Sequence, residues 1–475
     1  MLHGSDDHIK EACGLFGIYD VDGLDTAQLV YCALYALQHR GQESCGIAVN
    51  DDNKITCYKD LGLLSDVFNE EKLAKMKGSI AMGHVRYSTT GSNGRENAQP
   101  LASKYVKGTL TLAHNGNISN AHELHNELIQ EGAVFQTSSD TELIAYLIAR
   151  ARLVTPSIEA AVELVMPKLR GSFSLIVMSP RKLIAVRDPY GIRPLCMGKI
   201  KNSYVFSSES CALNAIGADF IRDIDPGEIL AITPEGIVEK TLHCKPRKDC
   251  ALCIFEHIYF ARQDSVIDGQ SVYEARLNAG RLLAQQNPVE ADVVTAVPDS
   301  GITAAIGFAH ASGIPYGEGL VKNRYIGRTF IQPTQSMREH SIDIKLSALK
   351  ACVKGKRVVM IDDSIVRGTT MRQLVAMLKK AGAKEVHIRI SSPQFLWPCY
   401  FGTDIPQRTH LACYNYNQEQ LKEHLGADSL HFLSMKALKQ VVPNSTIGFC
   451  DACFSGHYPF EVPSEADKLE FEICV

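Results

Sequence analysis

The stretch RVVMIDDSIVRGTTMRQL, residues 357–374, sets two carboxylates side by side at the end of an apolar run. Asp362 and Asp363 lead into a short loop, Ser364 to Thr370, that holds three hydroxyls together with Arg367 and Gly368. A helix is expected next, with Met371, Leu374, Val375 and Leu378 on its apolar face and Thr370 and Gln373 as an N-terminal capping pair. Such a loop offers backbone N–H groups and hydroxyls at the positive end of a helix, which suits a phosphate. The spacing of a Walker nucleotide loop is absent. Paired aspartates at a strand tip suit sugar hydroxyls, or a divalent cation carried by the substrate. The plainer alternative is a strand–helix connection with two solvated acids.

A candidate nucleophile lies at the other end of the chain. Cys13 follows the leader MLHGSDDHIKEA and opens the run CGLFGIYD. A small thiol can simply begin a buried strand. Alternatively the leader is cut off and Cys13 becomes the N-terminus. Its thiol (pKa about 8.5) and α-amine (pKa about 7.7–8.0) then share one residue, so the nucleophile carries its own general base. While Ala12 acylates that nitrogen, it is an amide and takes no proton.

Fifteen cysteines need an account. Cys32, Cys45, Cys57, Cys196, Cys211 and Cys352 stand alone in apolar surroundings and read as core. Cys244, Cys250, Cys253, Cys450 and Cys453 cluster, and Cys399 follows Trp-Pro by itself. The leader has two adjacent aspartates and no apolar core, so it is not a secretory signal, and a cytoplasmic, reducing location is expected. Disulfides are then disfavoured, and the spacing of CALC (250–253) and CDAC (450–453) points to a four-thiolate zinc site.

These groups need elements to hold them. A chain of 475 residues is too long for a single core. Apolar residues at 45%, charged residues at 21% and a net charge of −4 fit a globular enzyme and give no electrostatic footprint for nucleic acid. No apolar run approaches a membrane span. Residues 13 to about 240 carry short strands broken by glycine turns, which predicts antiparallel sheet with helices outside. In GTLTLAHNGNISNAHELHNELI, Thr109 to His114 reads as a strand, Asn115-Gly116 as a turn, and Asn120 with Glu123 as a capping box opening a helix. From about 285, DVVTAV, RVVMID and EVHIRI alternate with helices, which predicts a parallel sheet. The polar, basic stretch 241–250 is the expected junction.

The acidic loop resembles the PRPP (phosphoribosyl pyrophosphate) loop of type I phosphoribosyltransferases. That likeness implies that Asp362 and Asp363 meet the ribose hydroxyls, and that Ser364, Arg367, Gly368, Thr369 and Thr370 hold the 5′-phosphate. AVPDSGITAA (296–305) resembles the family's pyrophosphate loop, and Ser300, Asp362 and Asp363 match its magnesium positions. KNRYIGRTFIQPTQ (322–335) resembles the flap over PRPP, with Lys322 and Arg328. In the first half, CGLFGIYD, LQHRGQES, GHVRYSTTG, AHNGNISN and SSDTE resemble, in order, the N-terminal-nucleophile glutamine amidotransferases. That likeness implies Cys13 as nucleophile, Asn115 and Gly116 as oxyanion hole, and Arg86 and Asp140 as the clamp on glutamine.

Joined, the halves resemble the glutamine PRPP amidotransferase family. The implied fold is α+β and α/β: a propeptide (1–12), an N-terminal-nucleophile αββα sandwich (13–240), then a type I phosphoribosyltransferase α/β domain with parallel sheet and a C-terminal cysteine segment (241–475). The implied reaction transfers ammonia from glutamine to PRPP with Mg²⁺, giving 5-phosphoribosylamine, pyrophosphate and glutamate, the first step of de novo purine synthesis. Cys253 before FEHIYFARQDS, Cys399 in WPCYFG, and Cys450 and Cys453 near FSGHYP match the family's iron–sulfur subgroup, which implies a structural 4Fe–4S cluster. Zinc spacing leaves Cys399 without a role; the cluster leaves Cys244 and Cys250 as extras and pins about 440–460 onto the junction near 253. The family further implies a homotetramer and feedback by purine nucleotides. Two rival readings are an amidotransferase acting on another sugar phosphate and a PRPP-sensing regulator without catalysis. The second calls for a basic DNA-binding module, which the sequence does not display.

Overall fold

The fold is that of a computed structural model of the chain. Residues 13–87, 94–241, 246–323, 346–403, 405 and 407–463 are described, and every count below refers to them. The leader 1–12, Cys244, residues 88–91 of GHVRYSTTG, and the flap beyond Asn323 with Arg328 lie outside the described residues.

Two antiparallel sheets pack face to face in the N-terminal half. In the seven-stranded sheet, β1 (Gly14–Tyr19) lies between Ser203–Ser207 and β2 (Ile80–Arg86). In the six-stranded sheet, β3 (Gly108–Ile118) pairs with β4 (Gly171–Ser179). Successive side chains on a strand face opposite ways. Leu15, Ala113, Ile176 and Met178 fill the core between the sheets. Phe16 and Ile18 pack outward on helix Thr26–Ala36, whose Val30 and Leu34 share their core. Leu175 and Val177 pack outward on the other side, against α1 (Asp140–Ala151) and helix Ile158–Val165. The result is the αββα sandwich.

The C-terminal half holds a four-stranded, wholly parallel sheet: Val293–Ala296, β5 (Arg357–Asp362), Glu385–Ile390 and Ser429–Phe432. Val359 and Ile361 of β5 pack with Ala304 and Phe308 of α2 (Ile302–Ser312). Val358 and Met360 pack on the opposite face with Leu374 and Leu378 of α3 (Thr369–Lys380). The expected apolar face of α3 is the buried one: Met371, Leu374, Val375 and Leu378. Among the described residues, no helix is long and apolar enough to cross a membrane.

Three local expectations are corrected. Asn115-Gly116 is not a turn: β3 runs on to Ile118, with Asn115 opposite Ser174 and Gly116 opposite Phe173. Gly116 has φ +147°, and a Cβ there would lie 2.1 Å from the Ser172 carbonyl oxygen. The glycine is set by close strand approach rather than by a hairpin. Asn120 does precede its helix, Ala121–Gln130, but the capping box does not form. The Asn120 side chain instead donates to the Lys168 carbonyl and accepts from the Arg170 N–H, tying the helix start to the β4 approach. Finally, α3 starts after Gly368 (φ +85°) rather than at a Thr370 cap, and no side-chain cap closes its first turn.

Candidate active sites

Cys13 sits at the entrance to β1, buried, its Sγ 3.4 Å from the Tyr87 carbonyl. By the period of two it shares the face of Leu15, toward the space between the sheets. Asn115 shares the face of Ala113 and looks into the same space from the opposite sheet. The buried Asn115 Nδ2 has no hydrogen-bond partner among the described residues. Along β3, His114 donates its N–H to Gln99 and its carbonyl accepts from His84 Nε2, whereas the Asn117 N–H turns toward β4 and donates to Ser172 Oγ. Backbone groups alternate along a strand, so the Gly116 N–H points the way His114's does, away from β4.

Arg86 ends β2 and Asp140 opens α1, and both are buried beside Cys13. The Asp140 carboxylate accepts from the Ile118 N–H at 3.0 Å and faces His114 Nδ1 at 3.4 Å. Burial pushes this carboxyl up, but His114, the Ile118 N–H and Arg86 outweigh it and hold the group below its usual range. Burial pushes the Cys13 thiol above its usual range, against the opposing pull of the Tyr87 backbone and the Arg86 and Arg40 guanidinium groups. An unassisted thiolate is therefore scarce, and the sulfur needs a base.

Arg40 was not singled out by the sequence, although it lies in LQHRGQES. Its Nε donates to the Cys13 carbonyl at 3.1 Å, and its other nitrogens bind Glu209 at 2.6 Å and Glu256 at 2.9 Å. Glu256 also binds Arg193 at 3.1 Å, and all four charged side chains are fully buried. Two positive and two negative groups balance here, across the joint between the halves. Sequence patterning tracks apolar residues, and nothing in it separates a buried arginine from a surface one.

In the C-terminal half, Asp362 closes β5, Asp363 follows it, and both are buried. The Asp363 N–H donates to the Asp362 carboxylate at 2.9 Å, and the Ser364 hydroxyl donates to Asp363 at 2.5 Å. Ser364, Arg367, Gly368, Thr369 and Thr370 form the turn into α3. Gly301 lets the 296–301 loop lie against this tip: a Cβ there would be 2.5 Å from the Ile361 carbonyl oxygen and 3.3 Å from the Asp362 Cα. Ser300 is the residue just before this close approach. Lys322 is tied to the same loop by a 2.6 Å pair with Asp299. The strand ends, two loops and a helix start converge at the carboxyl edge of a parallel sheet, the usual binding crevice of such folds.

The cysteines divide. Cys253, Cys399, Cys450 and Cys453 line one cavity, walled by Phe255, Phe395, Phe401 and Tyr458. Cys253 and Cys450 are paired directly, because Leu252–Cys253 and Phe449–Cys450 form a short parallel bridge. Cys250 lies instead in a separate apolar cluster with Leu252, Ile267, Val272 and Ile447, so the CALC–CDAC zinc set is not brought together. Burial pushes the Cys253 thiol up to about 12, and burial together with the neighbouring thiols raises Cys450 and Cys453 well above the ordinary thiol range. Among the described residues, no group of three or more His, Cys, Asp or Glu side chains converges as the ligands of a single ion would.

Comparison with known proteins agrees with both halves. A glutamine amidotransferase domain family matches residues 84–215, and a phosphoribosyl transferase domain family matches residues 271–391. An amidophosphoribosyltransferase of Archaeoglobus fulgidus is 49% identical over 95% of this chain and 99% of its own length. One from Bacillus subtilis is 46% identical over 96% of this chain and 95% of its own. The solved structure of the B. subtilis glutamine PRPP amidotransferase, complexed with ADP and GMP, superposes with a TM-score of 0.88 over 95% of this chain and 98% of that one. With relatives this similar over nearly its whole length, the chain belongs to the amidophosphoribosyltransferases, a family of pentosyltransferase enzymes.

Proposed function

We propose that the chain releases ammonia from glutamine at Cys13 and uses it to replace pyrophosphate on PRPP, yielding 5-phosphoribosylamine and glutamate for purine synthesis. The observation that carries the first half is the unpartnered, buried Asn115 Nδ2 facing the space that Cys13 faces, with the Gly116 N–H turned away from its strand partner. Two such donors suit a tetrahedral oxyanion. The Cys13 sulfur bonds to the side-chain amide carbon, and the carbonyl electrons move onto oxygen. They return as the C–N bond breaks, and the nitrogen leaves with the proton held by the Cys13 α-amine. Water then cleaves the thioester to glutamate. Arg86 and Asp140 suit the α-carboxylate and α-ammonium of the substrate.

In the other half, the turn at 364–370 suits the 5′-phosphate, and Asp362, Asp363 and Ser300 suit the ribose hydroxyls and the Mg²⁺ that PRPP carries. Lys322, paired with Asp299 of the neighbouring loop, suits a negative group of the same substrate, and Arg328 lies outside the described residues. Ammonia attacks C1 as the bond to pyrophosphate breaks. A regulator without catalysis is disfavoured by the enzyme family to which the chain belongs. The mechanism requires cleavage after Ala12, because the Cys13 amine is the base. Intact mass of active protein from its native cells should therefore begin at Cys13, and an active enzyme retaining residues 1–12 would contradict this.

The four cavity cysteines fit an iron–sulfur cluster better than zinc. Each thiolate of a 4Fe–4S cluster ligates its own iron, so the sulfurs line a cavity wall rather than converge. Buried thiols with raised pKa values also need a cationic partner before they ionise. When bound, the cluster supplies cross-linking of chain segments, and the reaction calls for no redox step. Anaerobically purified protein should hold iron and acid-labile sulfide in equal amounts with little zinc. Cys399→Ser should lose both and lower the midpoint of unfolding. Stoichiometric zinc with a harmless Cys399→Ser would overturn the assignment.

A further inference from the structure

We propose that the segment 399–403, which begins at one of the cavity cysteines, is a positioning element for the strand that carries Asn115 and Gly116. The proposal rests on the reading of those two residues as the oxyanion donors.

Three contacts join segment and strand. The Ser172 hydroxyl donates to the Phe401 carbonyl at 2.9 Å and accepts from the Asn117 N–H at 3.2 Å, so one buried oxygen bridges the two. The Asn117 side-chain amide donates to the Tyr400 carbonyl at 3.0 Å. Gly402 (φ +96°) lies flat against Gly116: a Cβ on it would stand 3.2 Å from the Gly116 carbonyl carbon and 2.9 Å from Arg193 Nη2. The segment is thus packed directly on the backbone of Gly116.

The segment is fixed on its other side as well. The Phe401 N–H donates to Cys399 Sγ at 3.4 Å, and Phe401 and Thr403 line the cysteine cavity. The Phe401 carbonyl takes two further bonds from Arg193, from Nε at 3.1 Å and Nη2 at 2.6 Å. Arg193 is bound to Glu256, Glu256 to Arg40, and Arg40 to the Cys13 carbonyl. The loop thus holds the oxyanion strand directly and the nucleophile's backbone through one buried ion chain. Donors aimed at a developing charge lose much of their effect when displaced by a fraction of an ångström. Disturbing the segment should therefore slow glutamine chemistry and spare the PRPP site.

The test is Ser172→Ala in the full chain, with Asn117→Ala as a milder cut of the same junction. Expected is a fall of about tenfold or more in kcat for glutamine hydrolysis, with KM for glutamine and ammonia-dependent synthesis unchanged. Alkylation of Cys13 distinguishes geometry from reactivity. The chloromethyl ketone analogue of glutamine reacts through a tetrahedral adduct that needs the oxyanion donors, whereas iodoacetamide reacts by direct displacement at carbon. The first should slow by a similar factor, and the second should not. Wild-type behaviour in every assay would overturn the proposal and leave the reading of Cys13 intact. Parallel loss of both syntheses, or failure of both variants to fold, would make the junction merely structural and overturn it too. Glutamine hydrolysis that survives Cys13→Ala would instead defeat the reading on which the proposal stands.

Discussion

Cys13→Ala abolishes glutamine hydrolysis and glutamine-dependent synthesis and leaves ammonia-dependent synthesis of phosphoribosylamine largely intact. The loss is expected to reach at least about 10⁴-fold, because alanine offers no atom to form the acyl intermediate. The fold should tolerate the change. One sulfur leaves a site at the start of a strand, at a cost of about 1 kcal/mol. The Arg40 bond to this residue is made by its backbone carbonyl, so it survives the substitution. External ammonia reaches C1 of PRPP without passing the thiol. The assay is glutamate and pyrophosphate release with glutamine or an ammonium salt as nitrogen source. If a folded Cys13→Ala protein also lost ammonia-dependent synthesis, one shared site would replace the two assigned here.

The residues proposed to touch substrate stand out in the sequence because their chemistry is local. Cys13 behind its leader, and Asp362-Asp363 ahead of a hydroxyl loop, announce themselves in a few positions. What the sequence concealed is where close approach, rather than propensity, decides. Asn115-Gly116 has the composition of a hairpin turn, yet β3 passes straight through it, since only glycine tolerates the Ser172 carbonyl at that distance. Spacing paired Cys250 with Cys253, but consecutive short-range partners point into different environments, and the cavity takes Cys399 from almost 150 residues away. The buried Arg40–Glu256–Arg193 chain left no trace in the pattern, because its members are far apart and each looks like an ordinary charged residue. Burying such ions costs several kcal/mol apiece unless they pair, and removing one partner costs about 3–5 kcal/mol, so the joint depends on the whole set. The strand Ser429–Phe432 was missed for a simpler reason: four residues are too few to show a period.

Asp362→Ala combined with Asp363→Ala removes synthesis from either nitrogen source, by about 10³-fold or more, while basal glutamine hydrolysis at Cys13 persists. The two carboxylates stand at the end of β5 and just after it, and the parallel register that holds the neighbouring Ile361 does not depend on their charge. Removing two adjacent, buried acids should therefore spare the fold. The sharper expectation concerns coupling. Segment 256–261 stands between the two sites: at one end Glu256 holds Arg40, which holds the Cys13 carbonyl. At the other, Arg276 donates to the carbonyls of His257, Tyr259 and Ala261 and feels the charge of Asp363. On the proposed reading, PRPP bound at the acidic pair would change the charge that Arg276 faces, and so the restraint it places on this segment. In the wild type, PRPP should accordingly stimulate glutaminase activity; in the double variant the stimulation should vanish and leave only the slow basal rate. To the extent that PRPP acts by tightening glutamine binding, linkage makes that part reciprocal, so glutamine should tighten PRPP binding in the wild type and not in the variant. Glutamate release with and without PRPP, and PRPP affinity by calorimetry with and without glutamine, measure the two directions. Stimulation that survives in a variant unable to bind PRPP at the acidic pair would sever this link and assign the effect to a second PRPP site.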